Sequence, residues 1–405
     1  MKWKGRAVTT LPMGLVGTRL GDVFRKDICM REYADIVVIG GGTMGSMISW
    51  RLSVRGFSVT CIESHSVAHS RSAVAGDSRL FRKSYRGATE LRAVLSTAQE
   101  QWMNLNSSAG EEVFVNCGGL YIGHSEGRYL TELAACCSRD EVDHEVLTAA
   151  EVHRRFPQHR VGDHESALFE PSAGFIRTER AVHAAFGLAK QGGAKVISGT
   201  PATSVLESES GVVVNHTDGS IQADAVVIAA GVGSPELLPD HLRSSLEARR
   251  EILTWFPTLK PTAFEPSAFP IFVHIDGEFS AYGAPALDGS TLKSTLDDRA
   301  RSIKELPNHR HTLTPDEIRE SEATAARFFN DVHPQVSRQE CLADLYTQDG
   351  QALVGLVPDT QRTYVSTGFS GAGFKMSAGV GELLAGTIAS EDVHLPDFWD
   401  PARFG

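Results

Sequence analysis

Three short apolar runs, widely separated along the chain, each end in small residues or glycines. The first, Ala34-Asp35-Ile36-Val37-Val38-Ile39, is nearly continuous in apolar residues, as a parallel strand buried on both faces requires. Gly40-Gly41-Gly42-Thr43-Met44-Gly45 follows, and Ser46 to Arg55 carries apolar residues at helical spacing until Gly56 ends it. Phe57-Ser58-Val59-Thr60-Cys61-Ile62 predicts the next strand, with Glu63 at its end. The second run, Ala223 to Ile228, predicts a core strand closing on Ala229-Ala230-Gly231. Ahead of it, Gly193-Ala194-Lys195-Val196-Ile197 leads into a β-rich stretch, Ala202 to Thr217, that turns at Asp218-Gly219. The third, Thr363 to Thr367, precedes the glycine-rich loop Gly368-Phe369-Ser370-Gly371-Ala372-Gly373-Phe374-Lys375 and a helix from Met376 to Ile388.

Strand, glycines, helix, second strand and terminal acid in that order form a dinucleotide-binding βαβ unit. Gly40 permits the tight turn, Gly42 lets backbone N–H groups approach a pyrophosphate, and Gly45 lets helix pack on strand. Thr43 and Met44 open the helix, whose N-terminus favours phosphate. Glu63 can accept hydrogen bonds from ribose hydroxyls. This unit alone does not separate NAD from FAD. The later segments do weigh on it, because Gly231 and the Gly368–Lys375 loop spread the cofactor contacts over most of the chain, which suits an extended FAD. The last helix N-terminus would stabilise negative charge on a reduced flavin.

Between these blocks, residues 86–170 read as helix-rich, with apolar periodicity at Leu91-Arg92-Ala93-Val94-Leu95 and Trp102-Met103. Residues 243–335 predict strands at Ile252 to Phe256 and Phe272 to Ile275 and a charged helix from Pro315 to Phe329. The expected fold is α/β: a Rossmann-like FAD-binding domain interleaved with a mixed α+β substrate domain built on an antiparallel sheet. The expected division is an N-terminal extension (1–30), a cofactor domain (31–113, 171–242 and 336–392), a substrate domain (114–170 and 243–335) and a C-terminal tail (393–405).

The 405 residues have ample length for large cores without staples. Lys and Arg total 39 against 50 Asp and Glu, a net charge of −11. With no basic block, nucleic-acid and anionic-membrane binding are not expected. Six cysteines form no CxxC pair and sit at no zinc spacing with histidine, so no metal site and a reducing cytoplasm are expected. No apolar run reaches membrane-spanning length, and the first 30 residues lack the apolar region of a secretory signal.

The chain resembles the monomeric sarcosine oxidase family of FAD amine oxidases, within the wider D-amino-acid and glycine oxidase superfamily, from about Tyr33 to Leu384. The carriers are the βαβ fingerprint, Ala75-Gly76-Asp77-Ser78-Arg79-Leu80-Phe81-Arg82, Glu170-Pro171-Ser172-Ala173-Gly174 and Gly368 to Lys375. The resemblance implies that Ser78 and Arg79 lie against the flavin and that Arg82 and Lys375 clamp a substrate carboxylate. It implies a substrate contact for Tyr282 and an oxygen-activating role for Lys293, where a cation would stabilise superoxide. The implied reaction passes a hydride equivalent from a secondary amine or N-substituted amino acid to flavin N5. The imine then hydrolyses and O2 becomes peroxide, in a monomeric enzyme. The alternatives are a dehydrogenase of the same fold and a non-catalytic FAD-binding subunit of a hetero-oligomeric oxidase.

Departures from the family pattern bear on substrate and attachment. Ala75 and Asp297 stand where relatives often have histidines, which makes a larger N-substituted glycine a better expectation than sarcosine. Many relatives hold FAD through a cysteine thioether. Counting back without gaps from Lys375, that position falls on Leu342, one residue from Cys341. On a strand one residue reverses the side-chain direction, and a bulge would restore it. Non-covalent FAD is the preferred expectation and a link through Cys341 the alternative.

Overall fold

The computed structural model describes residues 32–405, except 71, 86–90, 298–299 and 304–310. The extension expected at 1–30 lies outside the described residues. The first apolar run is strand β1 (Glu32–Ile39), followed by helix α1 (Thr43–Val54) and strand β2 (Val59–Glu63). The helix starts three residues earlier than its apolar spacing suggests, because the last glycines of the loop already belong to its cap and first turn.

β1 lies inside an eight-stranded sheet, parallel to β2 on one side and to the strand Gly219–Ile228 on the other. Its side chains alternate between two cores. Ile36 and Val38 join a large cluster with residues of α1 and of helices Leu91–Ala109, Thr178–Gln191 and Gly373–Ile388. Val37 and Ile39 pack on the opposite face with Val212, Val214, Ile221 and Leu353. Burial on both faces is why the run reads as continuously apolar. The third run, Thr363–Thr367, also pairs parallel to Gly219–Ile228, so the three glycine-bearing segments follow the carboxyl ends of adjacent parallel strands.

A nine-stranded sheet is antiparallel apart from one parallel pair, Ile271–Asp276 with Gly119–His124. It is built from strands at 119–170 and 246–302 together with Arg338–Thr347. That last strand pairs along its whole length with Leu246–Pro257, so the antiparallel sheet extends past residue 336. The expectation of a helix-rich 86–170 is corrected in part. The 19-residue helix α2 (Leu91–Ala109) and two shorter helices are present, but Phe114–Asn116, Gly119–His124, Glu145–Thr148 and Glu165–Glu170 are strands. Helical periodicity was legible only in the long segment; the strands are too short to show a period of their own.

A three-stranded sheet joins β3 (Ser78–Phe81), Gly174–Arg177 and Phe114–Asn116. Ser78 pairs with Arg177 and Phe81 with Gly174, which brings two sequence markers almost a hundred residues apart into register. Among the described residues, no helix is long and apolar enough to cross a membrane.

Candidate active site

A cavity of about 1240 Å³ is lined by residues of both large sheets. This exceeds the usual few hundred Å³ of a single small-ligand pocket and leaves room for a dinucleotide beside a substrate. At one end lies the first glycine loop. A side chain on Gly40 (φ +109°) would bring its Cβ within 2.3 Å of the Ala229 carbonyl, and one on Gly45 within 1.8 Å of the Gly40 carbonyl. These two glycines are demanded by the protein's own packing. Gly42 differs, since the nearest atom to its hypothetical Cβ is Val74 Cγ2 at 4.0 Å, which leaves its cavity side open to a ligand.

Gly42 is the N-cap of α1, with no capping side chain and no acid in the first turn. The helix Gly373–Ile388 starts in the same way, N-capped by Ala372. Both N-termini line the cavity, so two sets of first-turn donors and two positive dipole ends converge on it. Glu63, buried at the end of β2, accepts hydrogen bonds from the backbone N–H groups of Gly41 (2.6 Å) and His65 (2.8 Å). The open Gly42, the uncapped helices and the acid beside the glycine loop fit a dinucleotide cofactor. The residues expected at the cofactor line the cavity except for Gly45, which packs behind the loop, and Ser78.

Farther along lie Arg82, Tyr85, Tyr282 and Lys375. The Arg82 guanidinium stacks on the rings of Tyr85 (4.6 Å to the centroid) and Tyr121 (5.2 Å), and its buried Nη1 has no hydrogen-bond partner among the described residues. Burial disfavours its charge, but the surrounding phenols Tyr85, Tyr129 and Tyr121 outweigh this and raise its pKa above the usual range. Lys375 Nζ hydrogen-bonds the Tyr85 hydroxyl. A guanidinium with an unused donor and an ammonium meeting on one tyrosine leave a position for an anion.

The loop carrying Arg82 is anchored by Glu170, which is fully buried. Its carboxylate accepts from the backbone N–H groups of Lys83 (2.9 Å) and Ser84 (3.2 Å), from the Ser84 hydroxyl and from the hydroxyls of Tyr121 (2.9 Å) and Ser172 (3.1 Å). Glu170 is thus spent on structure, and among the described residues no carboxylate is paired with Arg82. The sequence motif around Glu170 was visible, but this positioning role was not.

Lys293 is buried rather than solvating a strand end, and it is not among the residues that line the cavity. Its Nζ donates to the carbonyls of Ser78 (2.7 Å) and Gly76 (2.9 Å). Burial and the nearby Arg79 guanidinium push its pKa well below the usual lysine range. Arg79 itself lines the cavity and donates to the carbonyls of Ser78, Ala73 and Ala75. Ala75 lies just behind the lining, packed on Leu253, Trp255 and Leu342.

The strands Arg338–Thr347 and Leu246–Pro257 pair without a register shift, setting Leu342 opposite Glu251 and Cys341 opposite Ile252. Leu342 lines the cavity. Cys341 turns to the other face, buried with Ile252, Leu296 and Leu313, and Arg250 Nη1 donates to its sulfur at 3.2 Å. The bulge that would bring Cys341 round is absent from this ladder. Among the described residues no cysteine lines the cavity.

Two acidic residues were missed by sequence reasoning. Glu251 and Asp344 line the cavity together with Asp297, which the sequence had singled out, and with Tyr282 and Tyr346. Burial raises the carboxyls of Glu251 and Asp344 above their usual range, although the Tyr346 hydroxyl donates to Glu251 and the N–H of Gly371 to Asp344 (3.1 Å). Burial, reinforced by Glu251, raises the Tyr282 phenol as well.

Comparison with known proteins finds relatives over most of the chain. A monomeric sarcosine oxidase of Streptomyces avermitilis is 29% identical over 374 residues, covering 91% of this chain and 97% of its own. An N-methyl-L-tryptophan oxidase of Yersinia pestis is 26% identical over 357 residues, covering 87% and 94%. The structure of NikD, described as an unusual amino acid oxidase essential for nikkomycin biosynthesis, superposes with a TM-score of 0.80 at 20% identity. That match covers 91% of this chain and 98% of NikD, and at such identity it speaks to fold alone. The DAO model, that of FAD-dependent oxidoreductases, matches residues 35–387, and the chain belongs to that family.

Proposed function

We propose that this FAD-dependent oxidoreductase is an oxidase of a secondary amine or N-substituted amino acid, with an N-substituted glycine as the favoured substrate class. The observation that carries the reading is the meeting of Arg82 and Lys375 on Tyr85, in the cavity whose other end is the glycine cradle. Two cations on one carboxylate fix the orientation of an amino acid, and a fixed near-attack geometry supplies much of the rate. The relatives' names, which specify amines bearing a methyl group on nitrogen, support the same class.

Bound FAD supplies the acceptor for a hydride equivalent from the carbon next to nitrogen. The chain's residues do the rest. Arg82 and Lys375 hold the carboxylate, and Tyr282, kept protonated by its raised pKa, offers a hydroxyl to the substrate. Asp297, where the resemblance places a histidine, gives this pocket a shorter, acidic side chain and so favours a substrate other than sarcosine itself. The imine formed hydrolyses in water to an amine and an aldehyde or glyoxylate, and O2 is reduced to peroxide. The attachment we favour is non-covalent, supported by the orientation of Cys341. A single-chain enzyme is favoured as well.

One observation favours a dehydrogenase instead, namely that Lys293 is tied to two carbonyls outside the cavity lining, with its charge disfavoured. Slow reoxidation of the reduced protein in air would select that reading. The main test is peroxide release from a panel of N-substituted glycines and cyclic imino acids. Arg82→Ala and Lys375→Ala should each lose about 100-fold in kcat/KM with carboxylate substrates. Equal turnover by both variants would overturn the clamp.

A further inference from the structure

The clamp contains a group that neither the sequence motifs nor the resemblance singled out. Tyr85 stands three residues beyond Arg82, on the loop that Glu170 anchors. Its ring carries the Arg82 guanidinium on one contact (4.6 Å) and the Lys375 ammonium on another (4.8 Å), and its hydroxyl is hydrogen-bonded to Lys375. Lys375 comes from the first turn of the last helix, where its long chain has many rotamers to choose among. Within the described residues, the Tyr85 hydroxyl is the acceptor found for its ammonium.

We propose that Tyr85 is a third member of the carboxylate clamp, a positioning residue that holds Lys375 beside Arg82 in a charge state set by its own hydroxyl. The inference rests on the clamp reading above. A neutral phenol orients both cations while leaving their charge for the incoming carboxylate. A phenolate would neutralise them and compete with the substrate.

The groups facing Tyr85 make this switch accessible. Burial alone would raise its pKa, but Lys375 from the last helix and Arg82 from its own loop outweigh burial and bring it down to about 8. Tyr121 and Tyr129 also face Arg82, Tyr282 shares the cavity, and Asp344 faces Lys375. The sign follows from the charges. Below about pH 8 the phenol is neutral and the carboxylate binds two free cations. Above it the phenolate takes one charge away, and ligand affinity falls by up to about tenfold per pH unit.

The test uses the flavin-loaded protein and (methylthio)acetate, a carboxylate whose sulfur replaces the oxidisable amine. Binding is read from flavin absorbance between pH 6.5 and 9.5, with no turnover involved. Wild type should show Kd rising above about pH 8, and Tyr85→Phe should bind about tenfold more weakly at pH 7 and lack the rise. Ultraviolet difference spectra should show one tyrosinate forming near pH 8 in wild type, and none there in the Phe variant. A wild type without the rise, or a rise that persists in Tyr85→Phe, overturns the inference. Lys375→Met separates the two readings. Unchanged affinity in that variant sinks the clamp itself, whereas weakened affinity together with an unaltered Tyr85→Phe profile sinks only the role of Tyr85.

Discussion

Lys293 shows how far a side chain's chemistry depends on its neighbours. As a free lysine it is a cation at neutral pH; here burial and Arg79 lower its pKa, and two carbonyls take its donors. A neutral amine has two N–H groups, enough for both carbonyls. Lys293→Met should leave reduction by substrate within a few-fold and slow reoxidation by O2 about 100-fold, measured by stopped flow. On the proposed oxygen-activating role the ammonium is the effective form, so wild-type reoxidation should slow as pH rises through the lowered pKa of Lys293. An unchanged oxygen reaction would assign Lys293 to holding the Gly76–Ser78 backbone. Arg82, Lys375 and Tyr282 were readable because they sit in motif-rich segments. Tyr85, Glu251 and Asp344 were not, since a single polar residue in a loop or strand has no period and reveals its partner only in space.

At the scale of elements, strand and glycine patterns carried further than helix starts. The apolar runs at β1 and Thr363–Thr367 match strands because burial on both faces leaves a continuous signature. The helix after each loop begins within the glycines, at Thr43 and Gly373, where no apolar spacing marks it. The glycines themselves divide by what they touch. Gly42→Ala should keep its thermal midpoint within a few degrees, since its backbone φ of −82° suits alanine and no atom lies closer than 4.0 Å. It should nevertheless lose bound flavin. Gly45→Ala drives a Cβ into the Gly40 carbonyl and should lower the midpoint further, by several degrees, because the backbone itself must shift. Thermal unfolding followed with the flavin-to-protein absorbance ratio checks both. Equal flavin content in Gly42→Ala and wild type would remove that glycine from the cofactor site.

Over the whole molecule, the net charge of −11 says little about the ligand, because Arg79, Arg82 and Lys375 are gathered in one cavity with two helix N-termini. The same assembly bears on attachment. With Leu342 rather than Cys341 turned to the cavity, acid precipitation should leave a colourless pellet and yellow supernatant. A yellow pellet would require a covalent link. What the sequence determined by itself was local. Buried runs, glycine turns and helix faces are written in neighbouring residues, so the α/β class, the cofactor cradle and the resemblance were all legible. Tertiary structure alone decided which side chains meet: Tyr85 between two cations, Glu170 spent on anchoring, Lys293 set behind the cavity wall and Cys341 facing away. Those outcomes depend on strand register and on packing between segments far apart in the chain, and no short-range pattern encodes either.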